Sequence, residues 1–244
     1  MGTVNDRPEW QSFGLTHQGN VRTHNEDAYL NFPEQRLWVV ADGMGGHSAG
    51  DLASRAIIDH LEHYRHTPLL GNNVALIRHI LDQVNQKLTA LTRNQPNKII
   101  GSTVAAFTAL RHHGVCLWAG DSRIYRFREG RLKQITRDHN EADELMDQGI
   151  SAAEAARSPY AQSITRAVGA HDELHVEAQI VELWDEDVYL LCSDGLNKEV
   201  SDQEIEATLA THPTEDSVSV LLNTCLERQG RDNVTIITLY RAAS

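Results

Sequence analysis

The chain has 244 residues, of which 41% are hydrophobic, and a formal net charge of −12 at pH 7. This hydrophobic content is enough for a large core and argues against a disordered chain. The strong negative charge disfavours nucleic acids and anionic membrane surfaces as partners, because both would repel the chain.

Seven short runs rich in β-branched and aromatic residues, bounded by turn residues, predict β-strands. They lie at residues 36–41, 103–111, 115–120, 123–128, 175–183, 188–193 and 234–240. Residues 110–135 have the pattern of consecutive antiparallel strands, with turns predicted at 113–114, 120–121 and 129–130.

Six further segments have the periodicity of amphipathic helices. They lie at residues 49–66, 73–94, 140–148, 151–157, 202–211 and 215–229. Ser201 and Glu204 are spaced for a capping box at the start of the fifth helix. Strands grouped before paired helices predict an α+β fold, with antiparallel sheets covered by helices. Without a linker or an internal repeat, residues 1–244 are expected to form one domain.

The N-terminal segment and the cysteines indicate a cytoplasmic location. The first ten residues lack the basic and apolar regions of a signal peptide, and no apolar run approaches the ~20 residues of a membrane helix. The three cysteines are an odd number without a CxxC pair, so no disulfide framework is expected. We expect a cytoplasmic monomer without membrane contact.

Three of the predicted strands run directly into an aspartate. Asp42 follows "LWVVA", Asp121 follows "CLWAG" and Asp194 follows "YLLCS". Because strand ends are rigid, these carboxylates can be held in a fixed geometry with apolar support behind them. The alternative for each single aspartate is a turn or cap residue, since aspartate is common before glycine.

Three more acids lie close to strands, and Gly43 follows Asp42. Asp232 precedes the last predicted strand, and Glu26 and Asp27 lie in "THNEDAYL". A cluster of such carboxylates would be destabilising unless cations neutralised it. Oxygen-only ligands favour Mg²⁺ or Mn²⁺, and glycine at position 43 would let a backbone carbonyl approach the metal.

The glycine-rich loop after Asp42 does not fit a nucleotide-binding motif. Gly45 and Gly50 have the spacing of a phosphate-binding P-loop, but Asp51 stands where the motif requires lysine. The dinucleotide fingerprint fails as well, because Ser48 occupies its last glycine position.

An ordered series of motifs spans nearly the whole chain. It consists of "GNVRTHNEDAYL" (19–30), "VVADGMGGHSAGDLAS" (39–54), "GSTVAAF" (101–107), "AGDSRIYR" (119–126), "ITRDHN" (135–140), "ITRAVG" (164–169), "LLCSDGL" (190–196) and "GRDNVTIITL" (230–239). With these motifs the chain resembles the metal-dependent protein phosphatases of type 2C, in their compact bacterial form. The resemblance implies a β-sandwich of two antiparallel sheets flanked by pairs of helices, with a two-metal centre at one end.

The resemblance also implies a set of metal ligands. Asp42 would bridge two Mn²⁺ or Mg²⁺ ions, and the Gly43 carbonyl would bind one of them. The remaining expected ligands are Glu26 and Asp27 beside that ion, Asp194 and Asp232 at the other ion, and Asp121 at a third, weaker site.

Two residues would act on the substrate by the same resemblance. Arg22 matches the arginine that grips the phosphate group. Animal relatives carry a histidine proposed as general acid where this chain has Met44, so His47 is the candidate to protonate the leaving oxygen or to orient a substrate. Residues 140–164 correspond to a flap, which is expected to contribute to the choice of substrate.

The implied activity is hydrolysis of phosphoserine and phosphothreonine on proteins by a metal-activated water. The phosphorylated proteins would be products of a cognate Ser/Thr kinase, in some compact relatives within a type VI secretion circuit. Two alternatives stay open: a phosphatase-like binding module without turnover, and a metallo-phosphohydrolase of small metabolites.

Overall fold

The computed structural model describes residues 10–45, 49–95, 99–212 and 214–241, and these residues contain eleven β-strands. In chain order the strands are β1 (Trp10–His17), β2 (Asp27–Phe32), β3 (Leu37–Met44), β4 (Gly101–Ser102), β5 (Val104–Leu110), β6 (His113–Ala119), β7 (Arg123–Arg128), β8 (Arg131–Gln134), β9 (Glu177–Glu182), β10 (Val188–Cys192) and β11 (Val234–Arg241). All seven predicted strands are present.

The strands form two antiparallel sheets. Sheet 1 has the order β1–β11–β10–β7–β8, and sheet 2 has the order β2–β3–β5–β6–β9, with the short β4 paired to the end of β3. The first and last strands of the described chain, β1 and β11, are neighbours in sheet 1.

Seven α-helices accompany the sheets in the described residues. They are α1 (Ala49–Leu61), α2 (Leu70–Thr92), α3 (Glu141–Asp147), α4 (Ala152–Ala155), α5 (Asp194–Asn197), α6 (Asp202–Thr211) and α7 (Thr214–Glu227). The predicted capping box is confirmed at α6, where the side chains of Ser201 and Glu204 bind each other's backbone N–H groups. None of these helices is both long and apolar enough to cross a membrane.

Three hydrophobic clusters lie between the layers of the fold. One lies between sheet 2 and the helix pair α1–α2, one lies between the two sheets, and one lies between sheet 1 and the helices α5–α7. The order of layers is therefore helix, sheet, sheet, helix, which confirms the predicted α+β sandwich flanked by helices.

β3 illustrates how a central strand serves two clusters. Leu37, Val39 and Ala41 point to the helices, whereas Trp38 and Val40 point to the opposite sheet. Because side chains alternate between the faces of a strand, a strand that is covered on both faces must be apolar throughout.

Large aromatic side chains fill the space between the sheets. The rings of Phe107 and Tyr189, from opposite sheets, stack with their centroids 4.5 Å apart. Trp10 and Trp38 pack beside them at a centroid distance of 5.2 Å. Burial of such side chains provides a large share of the hydrophobic free energy of folding.

Two predicted turns differ from the structure. The turn between β5 and β6 lies at Arg111 and His112, since His113 already pairs with Leu110. The segment around Gly120 is not a hairpin, because β6 belongs to sheet 2 and β7 to sheet 1. Gly120 has φ +113°, which lets the chain cross from one sheet to the other.

The inter-sheet aromatic cluster leads to a prediction about stability. Phe107→Ala removes a fully buried ring and should lower the free energy of unfolding by about 3–5 kcal/mol. Ile180→Ala serves as the control, because Ile180 is 69% exposed and its loss should cost less than about 0.5 kcal/mol. Urea unfolding of both variants measures the difference, and equal losses would contradict the packing described.

Candidate metal centre

The strand-end acids lie at one end of the sandwich. In the antiparallel arrangement, β3, β6 and β10 finish at the end where β2 and β11 begin. This places Asp42, Asp121 and Asp194 close to Asp27, the register partner of Asp42, and to Asp232.

A pocket of about 320 Å³ opens at this end. Of the residues expected in the metal centre or at the substrate, those that line it are Arg22, Glu26, Asp42, Gly43, Asp121, Asp194 and Asp232. Asp27, the register partner of Asp42, is buried and is not among the residues that line the pocket. His47 is outside the residues that the structure describes.

Asp27 is held by hydroxyl groups of the opposite sheet. Its Oδ2 atom accepts hydrogen bonds of 2.7 Å from Ser193 Oγ and from Thr235 Oγ1. Burial raises the pKa of Asp27 to about 7, and the nearby Asp194 and Asp232 act in the same direction. Asp27 therefore links sheet 2 to sheet 1 and lies close to Asp194 and Asp232, which line the pocket.

The pKa values of Asp42 and Asp121 are also raised. Burial is the main cause for Asp42, followed by repulsion from Asp27, Asp194 and Asp121, and its pKa lies well above the usual range. Burial and repulsion from Asp194 raise the pKa of Asp121 to about 7. Neighbouring carboxylates thus disfavour one another's ionised form, as expected where cations are needed.

Two cationic side chains reach Asp232. Arg22 Nη2 lies 2.9 Å from Asp232 Oδ1, and Lys198 Nζ lies 3.0 Å from Asp232 Oδ2. Burial opposes ionisation of Asp232, but the two cations outweigh it and hold its pKa below the usual range. Lys198 also contacts Asp194 Oδ2, yet burial keeps the pKa of Asp194 above its usual range.

Several carboxylate oxygens of the site are buried and have no hydrogen-bond partner. They are Glu26 Oε1, Asp27 Oδ1, Asp121 Oδ1 and Asp194 Oδ1. Such oxygens are costly to bury unless a cation or donor satisfies them. Within the described ranges, no three acidic, histidine or cysteine side chains already converge on one point in the way that a closed metal site requires. The site thus offers free oxygens around a common pocket.

Gly43 has a structural role besides the one expected from the sequence. A Cβ atom at Gly43 would lie 2.1 Å from the carbonyl oxygen of Gly50, and one at Gly50 would lie 2.7 Å from Glu26 Oε1. The end of β3 and the first turn of α1 therefore touch backbone to backbone. The Gly43 backbone N–H also donates to the Glu26 carbonyl at 3.1 Å, so Glu26 lies beside the residue that follows Asp42.

The segment 140–164 lies beside the pocket. It begins and ends at the isolated bridge between Asn140 and Ile164, and it carries α3 and α4. Gln162 and Ile164 line the pocket together with the acids. The segment is thus placed where it can touch a substrate.

Sequence reasoning missed two residues that build the site, Asn233 and Lys198. Asn233 accepts a hydrogen bond from the Glu26 backbone N–H and donates to the carbonyls of Gln18 and His24, which fixes the loop that carries Arg22. Lys198 was also missed, because α5 has only four residues and shows no periodicity. The sequence did contain a signal for Asn233, because in "GRDNV" it directly follows Asp232, which was predicted to bind metal.

Comparisons with known proteins identify the family of this chain. The family model described as protein phosphatase 2C matches residues 14–234. The serine/threonine phosphatase stp of Listeria monocytogenes is 31% identical over 236 residues, which cover 93% of this chain and 94% of that protein.

Two solved structures are similar throughout. PppA of Pseudomonas aeruginosa, described as a key regulatory component of T6SS, has a TM-score of 0.88 and 39% identity, with 96% of this chain and 98% of that chain covered. The catalytic domain of the serine/threonine protein phosphatase PstP, in complex with two manganese ions, has a TM-score of 0.83 and 31% identity, with 96% and 99% covered.

The raised pKa of Asp27 leads to a prediction for the protein in chelator. A carboxyl with a raised folded-state pKa contributes stability at low pH that is lost as the pH rises through about 7. Asp27→Asn should therefore gain roughly 2 kcal/mol over wild type between pH 5 and pH 8.

Urea unfolding at both pH values with EDTA measures this gain. Asp185→Asn changes an exposed acid and is the matched control, whose pH profile should follow that of wild type. If the free energy of unfolding of Asp27→Asn changed with pH in the same way as that of wild type, the raised pKa of Asp27 would be contradicted.

Proposed function

The chain belongs to the protein phosphatase 2C family and is a metal-dependent serine/threonine protein phosphatase, and we propose that its pocket of buried carboxylates is where phosphoserine and phosphothreonine are hydrolysed. The observation that carries this assignment is the set of buried carboxylate oxygens without partners around that pocket.

The residues present fit a pair of divalent cations. The free donors are carboxylate oxygens, which suit hard ions such as Mn²⁺ and Mg²⁺. The two manganese ions of the similar PstP structure support Mn²⁺ in particular. Bound cations would also relieve the electrostatic repulsion between the acids, which favours cation binding by the folded chain.

Each acid has a proposed place in this centre. Asp42 would hold both ions, with the Gly43 carbonyl, Glu26 and Asp27 at one of them. Asp194 and Asp232 would hold the second ion, and Asp121 would hold a third, weaker one. When bound, the ion pair supplies a water of lowered pKa as the nucleophile and positive charge for the phosphoryl oxygens.

The chain's own residues bind and orient the substrate. The Arg22 guanidinium is half exposed at the rim of the pocket, where it can form two parallel hydrogen bonds with a phosphate group. Its ion pair with Asp232 keeps it in place while no phosphate is present. Ser193 and Thr235 orient Asp27 through their hydroxyl groups.

Two proposed roles concern the surroundings of the centre. His47 would donate the proton that the leaving seryl or threonyl oxygen needs, because imidazole titrates in the required range. The segment 140–164 would contribute to substrate choice, since Gln162 and Ile164 line the pocket.

A signalling role is part of the proposal. The substrates would be proteins phosphorylated by a cognate Ser/Thr kinase. The similarity to PppA, described as a regulatory component of T6SS, supports a place in the control of secretion.

The first prediction for this function is a metal-dependent phosphatase activity. With Mn²⁺ the chain should hydrolyse a phosphothreonine peptide, and EDTA should abolish the reaction. Asp42→Asn keeps the size of the side chain but removes the proposed bridging charge, so kcat should fall by about 10³-fold or more. Asp216→Asn, at an exposed acid of α7, is the control.

The same assay separates the alternatives. Absence of turnover with Mn²⁺ would favour a binding module, and a higher kcat/KM for small phosphate esters than for the peptide would favour a metabolite hydrolase. Full activity of Asp42→Asn would refute the proposed ligand set.

The second prediction concerns Arg22. Arg22→Ala should lower kcat/KM for the phosphopeptide by about 10²-fold, because a charge-assisted bidentate contact with phosphate is lost. Arg55→Ala is the control, since Arg55 is exposed on α1 and pairs with Asp51 away from the pocket. An unchanged kcat/KM for Arg22→Ala would remove this residue from the substrate site.

A further inference from the structure

We propose that Lys198 is a tethered cation that holds Asp194 and Asp232 together in the metal-free protein and competes with the divalent ion that binds there. The inference rests on the proposed function, because it takes these two acids as metal ligands. It assigns a role to a residue outside the expected ligand set.

The position of Lys198 is fixed by the helix that carries Asp194. Lys198 follows α5, four residues after Asp194, and its backbone N–H donates to the Asp194 carbonyl at 2.9 Å. Residues four apart in a helical turn lie on the same side, so the lysine stem extends along the Asp194 carboxylate. The helical turn that begins at Asp194 therefore places the ammonium group of Lys198 in the pocket.

The ammonium group bridges two separate segments of the chain. Lys198 Nζ contacts Asp194 Oδ2 at the start of α5 and lies 3.0 Å from Asp232 Oδ2 before β11. The ammonium group thus lies between the carboxylates of Asp194 and Asp232, as a metal ion bound by both of them would. The two acids stay close together without the repulsion that they would otherwise exert.

Arg22 cannot take over this role. Among the described residues that line the pocket, Arg22 and Lys198 are the cationic ones, and the ion pair of Arg22 is with Asp232 Oδ1. The ion pair of Asp194 is with Lys198, and its other oxygen, Oδ1, is buried without a partner. Asp194 is thus held but only partly satisfied.

A divalent ion at these acids requires Lys198 to release both of them. The Lys198 side chain is 41% exposed, and its four-carbon stem can turn the ammonium group towards solvent. The lysine should therefore stabilise the metal-free fold and weaken the apparent affinity for the ion. The stabilisation of the metal-free fold and the weaker ion affinity both arise from the ion pairs of Lys198 with Asp194 and Asp232.

The test compares Lys198→Met with wild type by calorimetric titration with MnCl₂. Methionine keeps the length and apolar stem without the charge, so the Kd for Mn²⁺ should fall by about tenfold, which corresponds to about 1.4 kcal/mol. In EDTA the melting temperature of Lys198→Met should be lower than that of wild type by about 3 °C. Lys133→Met, on the partly exposed strand β8, is the control and should change neither value.

The outcomes separate this inference from the proposed function. If wild type binds Mn²⁺ and hydrolyses the phosphopeptide while Lys198→Met binds Mn²⁺ no tighter, only the role of Lys198 is refuted. A raised KM with unchanged Mn²⁺ affinity would refute it too and would place Lys198 at the substrate. If wild type binds no Mn²⁺, the proposed function itself is refuted, and the role of Lys198 with it.

A second variant covers the case in which Lys198→Met does not fold in EDTA. Lys198→Gln keeps a hydrogen-bond donor without the charge and should show the same tighter Mn²⁺ binding. Recovery of folded Lys198→Met by Mn²⁺, followed by circular dichroism, would support the tethered cation. Failure of Mn²⁺ to restore the fold would refute it.

Discussion

Electrostatic repulsion among buried carboxylates is the constraint around which this molecule is arranged. Six acids from five segments meet two cationic side chains at one end of the sandwich, namely Glu26, Asp27, Asp42, Asp121, Asp194 and Asp232 against Arg22 and Lys198. With every acid ionised, six negative and two positive charges would leave an excess of four, and two divalent ions would balance it. The excess of negative charge contributes to the raised pKa of Asp42. The carboxylate oxygens without partners and the ion pair of Lys198 with Asp194 belong to the same concentration of acids.

A rigid frame is needed to hold such charges together. The aromatic contacts between the sheets and the apolar strands behind each acid provide it. Gly43 and Gly50 let a helix and a strand touch closely beside Asp42. The hydroxyl groups of Ser193 and Thr235 fix Asp27 from the other sheet. The energy of the hydrophobic core thus opposes repulsion at the site.

Much of the fold could be predicted from local pattern, and what was missed depends on distant partners. The buried strand β3 and the capped helix α6 have clear periodicity and cap residues. β1 was missed because it is an edge strand with mixed burial, whose partner β11 is far along the sequence. The change of sheet at Gly120 looks like a hairpin in the sequence, since a glycine turn fits both. The position of the Lys198 ammonium depends on Asp232, which no local pattern reveals.

The division of the acids between the sheets has a consequence for how the protein is made. Asp27 and Asp42 belong to strands of sheet 2, Asp194 and Asp232 lie next to strands β10 and β11 of sheet 1, and Asp121 lies in the connection between the two sheets. Asp232 immediately precedes β11, which inserts between β1 and β10. A nascent chain that lacks this strand has neither a finished sheet 1 nor a complete ion site. If these acids hold the ions as proposed, the chain becomes catalytically competent only after both halves have assembled, and an incompletely synthesised chain cannot dephosphorylate proteins.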